Sequence, residues 1–161
     1  MNVVKRNGES VPYDVDKIHR MVGWAVEGLK GVTVSDVEIN ANLQKRDGMS
    51  TTEIHEVLID SAVNLINLNT PNYQYVASRL LLAQLRKDVW GGKNPPKLVD
   101  FINKNVHEHD VYDEDILMLY TDEEINKLDE YIDHSRDKNF TYAGMRQLCD
   151  KYLVQDRAKK I

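Results

Sequence analysis

A chain of 161 residues with a formal charge of −5 has room for one compact domain or for a small domain plus an appendage that needs a partner, and two modest units fit best. The acidic balance argues against a general nucleic-acid binder, which neutralises many phosphates with a basic face, but it leaves room for a local basic pocket. No run approaches the ~20 apolar residues of a membrane span, the opening MNVVKRNGES lacks the apolar core of a secretory signal, and the one cysteine, Cys149, excludes an internal disulfide or a thiolate zinc cluster within the chain. A soluble cytoplasmic protein is the expectation, with Cys149 a plain helix residue.

Asn7-Gly8 separates residues 2–6 (NVVKR) from 9–14 (ESVPYD), and this pair most readily takes the positive dihedrals of a tight hairpin turn. A β-hairpin is predicted, with a short or edge second strand because Pro12 cannot donate to a ladder. From Asp16 onward, Ile18, Met21, Val22, Ala25, Val26 and Leu29 recur on one helical face, and Gly31 is placed to end that helix. Ser35 with Glu38 and Ser50 with Glu53 have capping-box spacing and predict the second and third helices. Helix three carries Ile54, Val57, Leu58, Ala62 and Leu65 on one face. A fourth helix is expected from Thr70-Pro71 to about Trp90, where Gly91-Gly92 and Pro95-Pro96 stop it and mark a unit boundary.

Beyond the boundary, residues 98–106, 113–120, 121–134 and 142–153 each read as short helices, the third with a Thr121/Glu124 capping box. Charge is dense there and apolar positions are few per helix, so this segment resembles half of a core. The fold class expected is therefore mainly α, with residues 1–91 as one unit and 92–161 as another.

Lys5 and Arg6 adjoin the hairpin turn, Lys17 opens the first helix and Lys87 lies near the end of the fourth. Such cations suit a polyphosphate if the fold gathers them, and solvated surface lysines are the alternative. There is no GxxxxGK[ST] loop and no GxGxxG turn. Thr51 and His55 are one turn apart at the start of helix three, where amides and the helix dipole favour an anion. A partly buried helix histidine explains the same spacing. His19, His107, His109 and His134 have no cysteine or serine context that suggests a triad, and the run Asp110, Asp113, Glu114, Asp115 is accounted for by a helix start. No catalytic residue and no metal ligand is assigned.

Taken in order, VVKRNGESVPYDVDKIHRMVGWAVEGL, DGMSTTEIHEVLIDSA and TPNYQYVASRLLLAQLRKDVWG closely resemble the ATP-cone of the large subunit of class I ribonucleotide reductases. DFINKNVHEHDVYDEDIL and YTDEEINKLDEYIDHSRDKNFTYAGMRQLCDKYLVQDR resemble the helical segment that follows the cone in the bacterial and phage-type enzymes. The blocks KR(N/D)G, DKIHR, PxYQYxAxR and IDHxRDxxFxY carry the likeness together, and essentially the whole chain is covered. The resemblance implies a hairpin lid over a four-helix cone, and an allosteric site for ATP or dATP, with Mg2+ accompanying the nucleotide. Carried across residue by residue, Lys5 and Arg6 match the hairpin's basic pair, Val11, Pro12, Tyr13, Asp14, Val15, Asp16, Lys17 and Ile18 match the segment enclosing base and sugar, and Thr51, His55 and Lys87 match positions that meet the nucleotide. Lys5, Lys17 and Lys87 would neutralise phosphate, while Val11, Val15 and Ile18 would shelter adenine. Val11-Pro12 departs from the charged residues common in relatives, so contacts from that strand differ.

The family's redox-active and radical cysteines lie downstream of the matched region, and Cys149 aligns with none of them. The resemblance therefore implies an allosteric piece of ribonucleoside-diphosphate reductase, inactive alone, serving deoxyribonucleotide synthesis for DNA replication. Its partners would be the remainder of the large subunit, in the same or a separate chain, and the small radical-generating subunit, with neither nucleic acid nor membrane. The ending AKKI departs from the TGEIYE-like continuation expected of the family, which favours a naturally divided large subunit over a truncated chain. Two other classes compete. A repressor-type cone protein would carry a four-cysteine zinc ribbon before the cone, which this chain lacks, and a stand-alone nucleotide-binding scaffold would fold cooperatively to its last residues.

Overall fold

The computed structural model describes residues 1–155. The reading of the AKKI ending falls on residues 156–161, outside the described residues. Two compact units occur, one of Met1–Gln84 with Lys138–Arg146 and one of Leu85–Asp137 with the chain from Gln147 on.

The first unit opens with β1 (Asn2–Val4) antiparallel to β2 (Ser10–Pro12), with Val3 opposite Val11. The hairpin forms as expected, but its turn is wider than Asn7-Gly8 alone predicts. The Gly8 amide donates to the Lys5 carbonyl at 2.9 Å and only Gly8, at φ 83°, takes a positive dihedral. Asn7 instead accepts the Glu9 amide through its side chain, a local bond that competes with the two-residue turn.

Asp14 caps α1 (Val15–Val26) by accepting the Lys17 amide. This helix ends before Leu29, because Gly28 (φ 71°) already adopts the left-handed conformation that stops it. Helix α2 (Val34–Asn42) is capped by Thr33, which accepts the Asp36 amide. The expected Ser35/Glu38 box is thus incorrect: Ser35 lies inside the helix, and Glu38 faces His19 instead, 3.1 Å away. The Ser50/Glu53 box is present with both reciprocal bonds at the start of α3 (Thr51–Asn64).

Helix α4 (Tyr73–Trp90) follows a turn at Thr70-Pro71 rather than starting there. Its residues through Gln84 belong to the first unit. Every residue from Val76 to Leu82 is buried, the signature of a helix surrounded on all sides rather than lying on a surface. Val76 and Leu80 of this helix and Val22, Val37 and Leu58 of α1, α2 and α3 are fully buried, each worth ~1.5–3 kcal/mol relative to exposure.

Two polar anchors fix this core. The Tyr73 hydroxyl donates to Asp36 at 2.7 Å and accepts the Thr33 amide at 3.1 Å, tying the start of α4 to the start of α2. Arg79, also buried, donates to the carbonyls of Ala25 (3.1 Å) and Glu27 (2.7 Å) at the end of α1 and to that of Lys138 (3.4 Å). These carbonyls have no helical partner of their own, and burial of the guanidinium lowers its pKa from the ordinary value.

In the second unit, α5 (Leu98–His107) packs on α7 (Asp122–Asp129) through Val99, Val106 and Ile125, with the Leu98 amide donating to Asp129. Between them lies α6 (Asp115–Leu119). The Thr121/Glu124 capping box is formed, but α7 ends at Asp129 and a 3₁₀ turn covers His134–Asn139. Arg86 pairs with Asp137 at 2.7 Å, and His134 meets Trp90 edge to face. Helix α8 (Tyr142–Gln147), which belongs to the first unit up to Arg146, passes into a π turn over Leu148–Tyr152 that buries Cys149. Met118, Leu119 and Tyr131 stay more than two-thirds exposed, at 71, 73 and 85%.

Candidate functional site

Main-chain bonds from Tyr13 to Met1 and from Lys5 to Glu9 extend the hairpin ladder by one pair at each end. Alternation along the strands then puts Val3, Lys5, Val11 and Tyr13 on one face and Val4, Ser10 and Pro12 on the other. Val3 is buried and Val11 and Tyr13 are half-buried, so the first face is the one turned toward protein.

The hairpin is docked, not hinged loosely. The Val4 amide donates to the Met49 carbonyl, the Gly48 amide to the Asn2 carbonyl, and the Asn2 amide to the Asp47 carboxylate at 2.6 Å. Val4 also forms a parallel bridge with Ser50. The free edge of β1 therefore abuts the segment leading into α3, whose first residue is Thr51. Ser50, not Thr51, is the cap, which leaves the half-buried Thr51 outside the capping box. One turn on, His55 is buried and its Nε2 donates to the Leu80 carbonyl at 2.7 Å, so this ring joins α3 to α4.

At the turn end, the Lys5 ammonium lies 2.9 Å from Glu9 and holds that carboxyl below the usual glutamate range. Both groups are about half exposed, at 47 and 55%, so the pair contributes little and exchanges readily for another anion. Arg6 lies exposed in the turn. Pro12 ends β2, and Asp14, Val15, Asp16 and Lys17 are exposed around the start of α1, with Ile18 half-buried behind them. Lys87, in the last turn of α4, belongs to the second unit. Lys5, beside Glu9, and Lys17, on α1, flank the hairpin face from different elements.

A cation absent from the sequence-based set also reaches this region. Lys45, in the connection between α2 and α3, donates to the Tyr13 hydroxyl at 2.6 Å and to Asn42 at 2.8 Å. Nothing in its spacing singles it out, because it lies in a loop without periodicity. The second unit offers a different hollow, lined by Val106, His107, Asp110, Tyr112, Asp113 and Glu114. Its three carboxylates are the wrong sign for a polyphosphate. No helix among the described residues is long and apolar enough to cross a membrane.

The family model described as the ATP cone domain matches residues 1–88. The chain is 46% identical over 155 residues to ribonucleoside-diphosphate reductase 1 subunit alpha of Escherichia coli (strain K12), covering 96% of this chain and 20% of that protein. It is 45% identical to the subunit alpha of Haemophilus influenzae over the same shares. To that of Enterobacteria phage T4 it is 41% identical over 98% of this chain and 21% of the relative. The chain thus spans about a fifth of the length of these relatives. With more than half of its residues matched by one family model, the chain belongs to the ATP cone domain family.

Proposed function

We propose that this chain is the allosteric, ATP- or dATP-binding N-terminal portion of a ribonucleoside-diphosphate reductase large subunit, working in the cytoplasm to control deoxyribonucleotide synthesis. The observation that carries the reading is the inward hairpin face, apolar at Val3 and Val11 and ending in Lys5, on a hairpin whose first strand is bonded along its free edge to the segment leading into α3. In this reading residues 1–91 are the regulatory cone and 92–161 begin the helical domain. Lys5, Arg6, Lys17 and Lys87 meet phosphates, Val11 to Ile18 enclose base and sugar, and Thr51 and His55 complete the nucleotide's surroundings. No group of three or more His, Cys, Asp or Glu suited to a metal occurs among the described residues, so Mg2+ would arrive on the phosphates it already coordinates.

Chemistry would reside elsewhere in the large subunit, together with a small radical-generating subunit. An effector shifts a conformational equilibrium only through its differential affinity for the two states, so ATP and dATP would be told apart by contacts around the 2′-hydroxyl. The bridge from Val4 to Met49 and Ser50 supplies a route, since any strand shift on binding is transmitted to the start of α3.

Calorimetric titration with ATP and dATP tests the proposal, repeated for Lys5→Ala and Lys87→Ala. Each substitution is expected to weaken binding by about 1–3 kcal/mol, as for hydrogen bonds to charged groups. Unchanged affinity in both variants would sink the residue assignment.

A further inference from the structure

Lys45 is a half-buried ammonium whose two hydrogen bonds, to the Tyr13 hydroxyl and the Asn42 side-chain oxygen, both go to neutral acceptors. Among the described residues no carboxylate pairs with it, although Arg46 next door lies 3.6 Å from Glu53 and Lys5 lies 2.9 Å from Glu9. The ammonium lies 4.9 Å from the Tyr13 ring centroid and 2.6 Å from its hydroxyl. Those two distances put it off the hydroxyl edge of the ring, with the ring face uncovered by it. An ammonium has three donors, and the two bonds to Tyr13 and Asn42 use two of them.

Position along the hairpin separates this cation from Lys5 and Arg6 at the turn. Tyr13 is level with Met1 and Lys5 is level with Glu9, four residue steps apart, or ~13 Å at the rise of an antiparallel strand. Val3 and Val11 lie between them on the same face. The hairpin thus has a cation toward each end, Lys5 at the turn and Lys45 beside Tyr13. If Lys5 and Arg6 take the phosphates, the Lys45 and Tyr13 end is left to the base.

We propose that Lys45 and Tyr13 form the base-reading end of the site, Tyr13 as the wall on which a purine packs and Lys45 as a donor to a purine ring nitrogen. This rests on the nucleotide-binding reading above. Purine ring nitrogens are acceptors for a protonated amine. Asn42 and the Tyr13 hydroxyl fix the ammonium in place, so little rotamer freedom remains to be lost when the base arrives. Tyr13 is in turn fixed by the hydrogen bond its amide donates to the Met1 carbonyl and by the cap at Asp14 that follows it.

The test is calorimetric titration of the 161-residue chain with ATP, ADP and CTP, for the unmodified protein, Lys45→Met, Tyr13→Phe and the double variant. Lys45→Met is expected to lower ATP and ADP affinity by the same factor, about tenfold for one charge-assisted hydrogen bond, and to leave CTP binding unchanged. Tyr13→Phe keeps the ring but frees the ammonium, so it should reproduce most of that loss, and the double variant should be no weaker than Lys45→Met. ATP affinity unaltered by Lys45→Met, or a loss that is larger for ATP than for ADP, overturns the assignment, the second by making Lys45 a phosphate ligand. Should Lys45→Met fail to fold, as seen in its thermal melt, Tyr13→Phe decides alone: unaltered purine preference overturns the proposal. An unmodified chain that binds no nucleotide at all refutes the functional reading itself, a result distinct from any of these.

Discussion

Replacing Arg79 by methionine removes the guanidinium and leaves a stem of similar length. The carbonyls of Ala25 and Glu27 then lose donors at 3.1 and 2.7 Å, and that of Lys138 loses a weaker one at 3.4 Å. Ala25 is completely buried, so water has no easy route to its carbonyl. A buried acceptor left unsatisfied costs about 1–3 kcal/mol, and the partly exposed Glu27 carbonyl adds less. Relief from burying a cation offsets part of the loss. The net expectation is a destabilisation of about 2–4 kcal/mol, or roughly 5–15 °C in melting temperature for a chain of this size. Thermal and urea unfolding of the unmodified chain and of Arg79→Met measure it. Arg79→Lys keeps the charge but not the planar fork that spans two carbonyls, so it should recover less than half. Hydrogen exchange should quicken in residues 138–146, because the Lys138 carbonyl is one of the three acceptors. A melt of Arg79→Met within a degree of the unmodified chain would refute the view that this arginine closes the end of α1.

Tyr73→Phe tests the other anchor through pH. The Tyr73 hydrogen bond, and then that of Thr33, hold the Asp36 carboxyl below the ordinary aspartate value. A depressed carboxyl contributes stability above its unfolded pKa, near 3.9, and loses it as pH falls through the lower folded value. Burial raises the Tyr73 pKa, so its contribution is present below pH ~10 and is lost above that. The phenylalanine variant should therefore lose stability near neutral pH and show a shallower acid limb; an identical acid limb would count against the bond. Thr33→Ala should cost ~1 kcal/mol by removing the α2 cap, whereas Ser35→Ala, inside the helix, should be close to neutral, and urea midpoints that rank them the other way would restore the cap expected from sequence. Gly8→Ala meets no atom within 4 Å, so its cost is that of a left-handed alanine, ~1–2 kcal/mol, with Gly8→Asn cheaper; equal midpoints for glycine and alanine would contradict the turn.

Local signals decided much of this protein directly. Asn7-Gly8, the Ser50/Glu53 and Thr121/Glu124 boxes and the apolar spacing of α1 and α3 each act within a few residues, so hairpin, caps and helices were legible from the chain alone. Where two local signals competed, as Thr33 against Ser35 or Gly28 against Gly31, spacing could not choose, because the outcome depends on which start or stop the packed core accommodates. Thr33 is selected partly by a tyrosine 40 residues away.

The site divides along the same line. Lys5, Val11 and Tyr13 share a face because alternation in a strand follows from covalent geometry, which sequence carries in full. That this face turns inward, that three main-chain and side-chain bonds dock the hairpin against the start of α3, and that Lys45 arrives beside Tyr13 from 32 residues away are matters of long-range contact. Backbone amides and carbonyls look alike in every residue but proline, so no pattern in the sequence records which of them meet, and only the folded chain decides it.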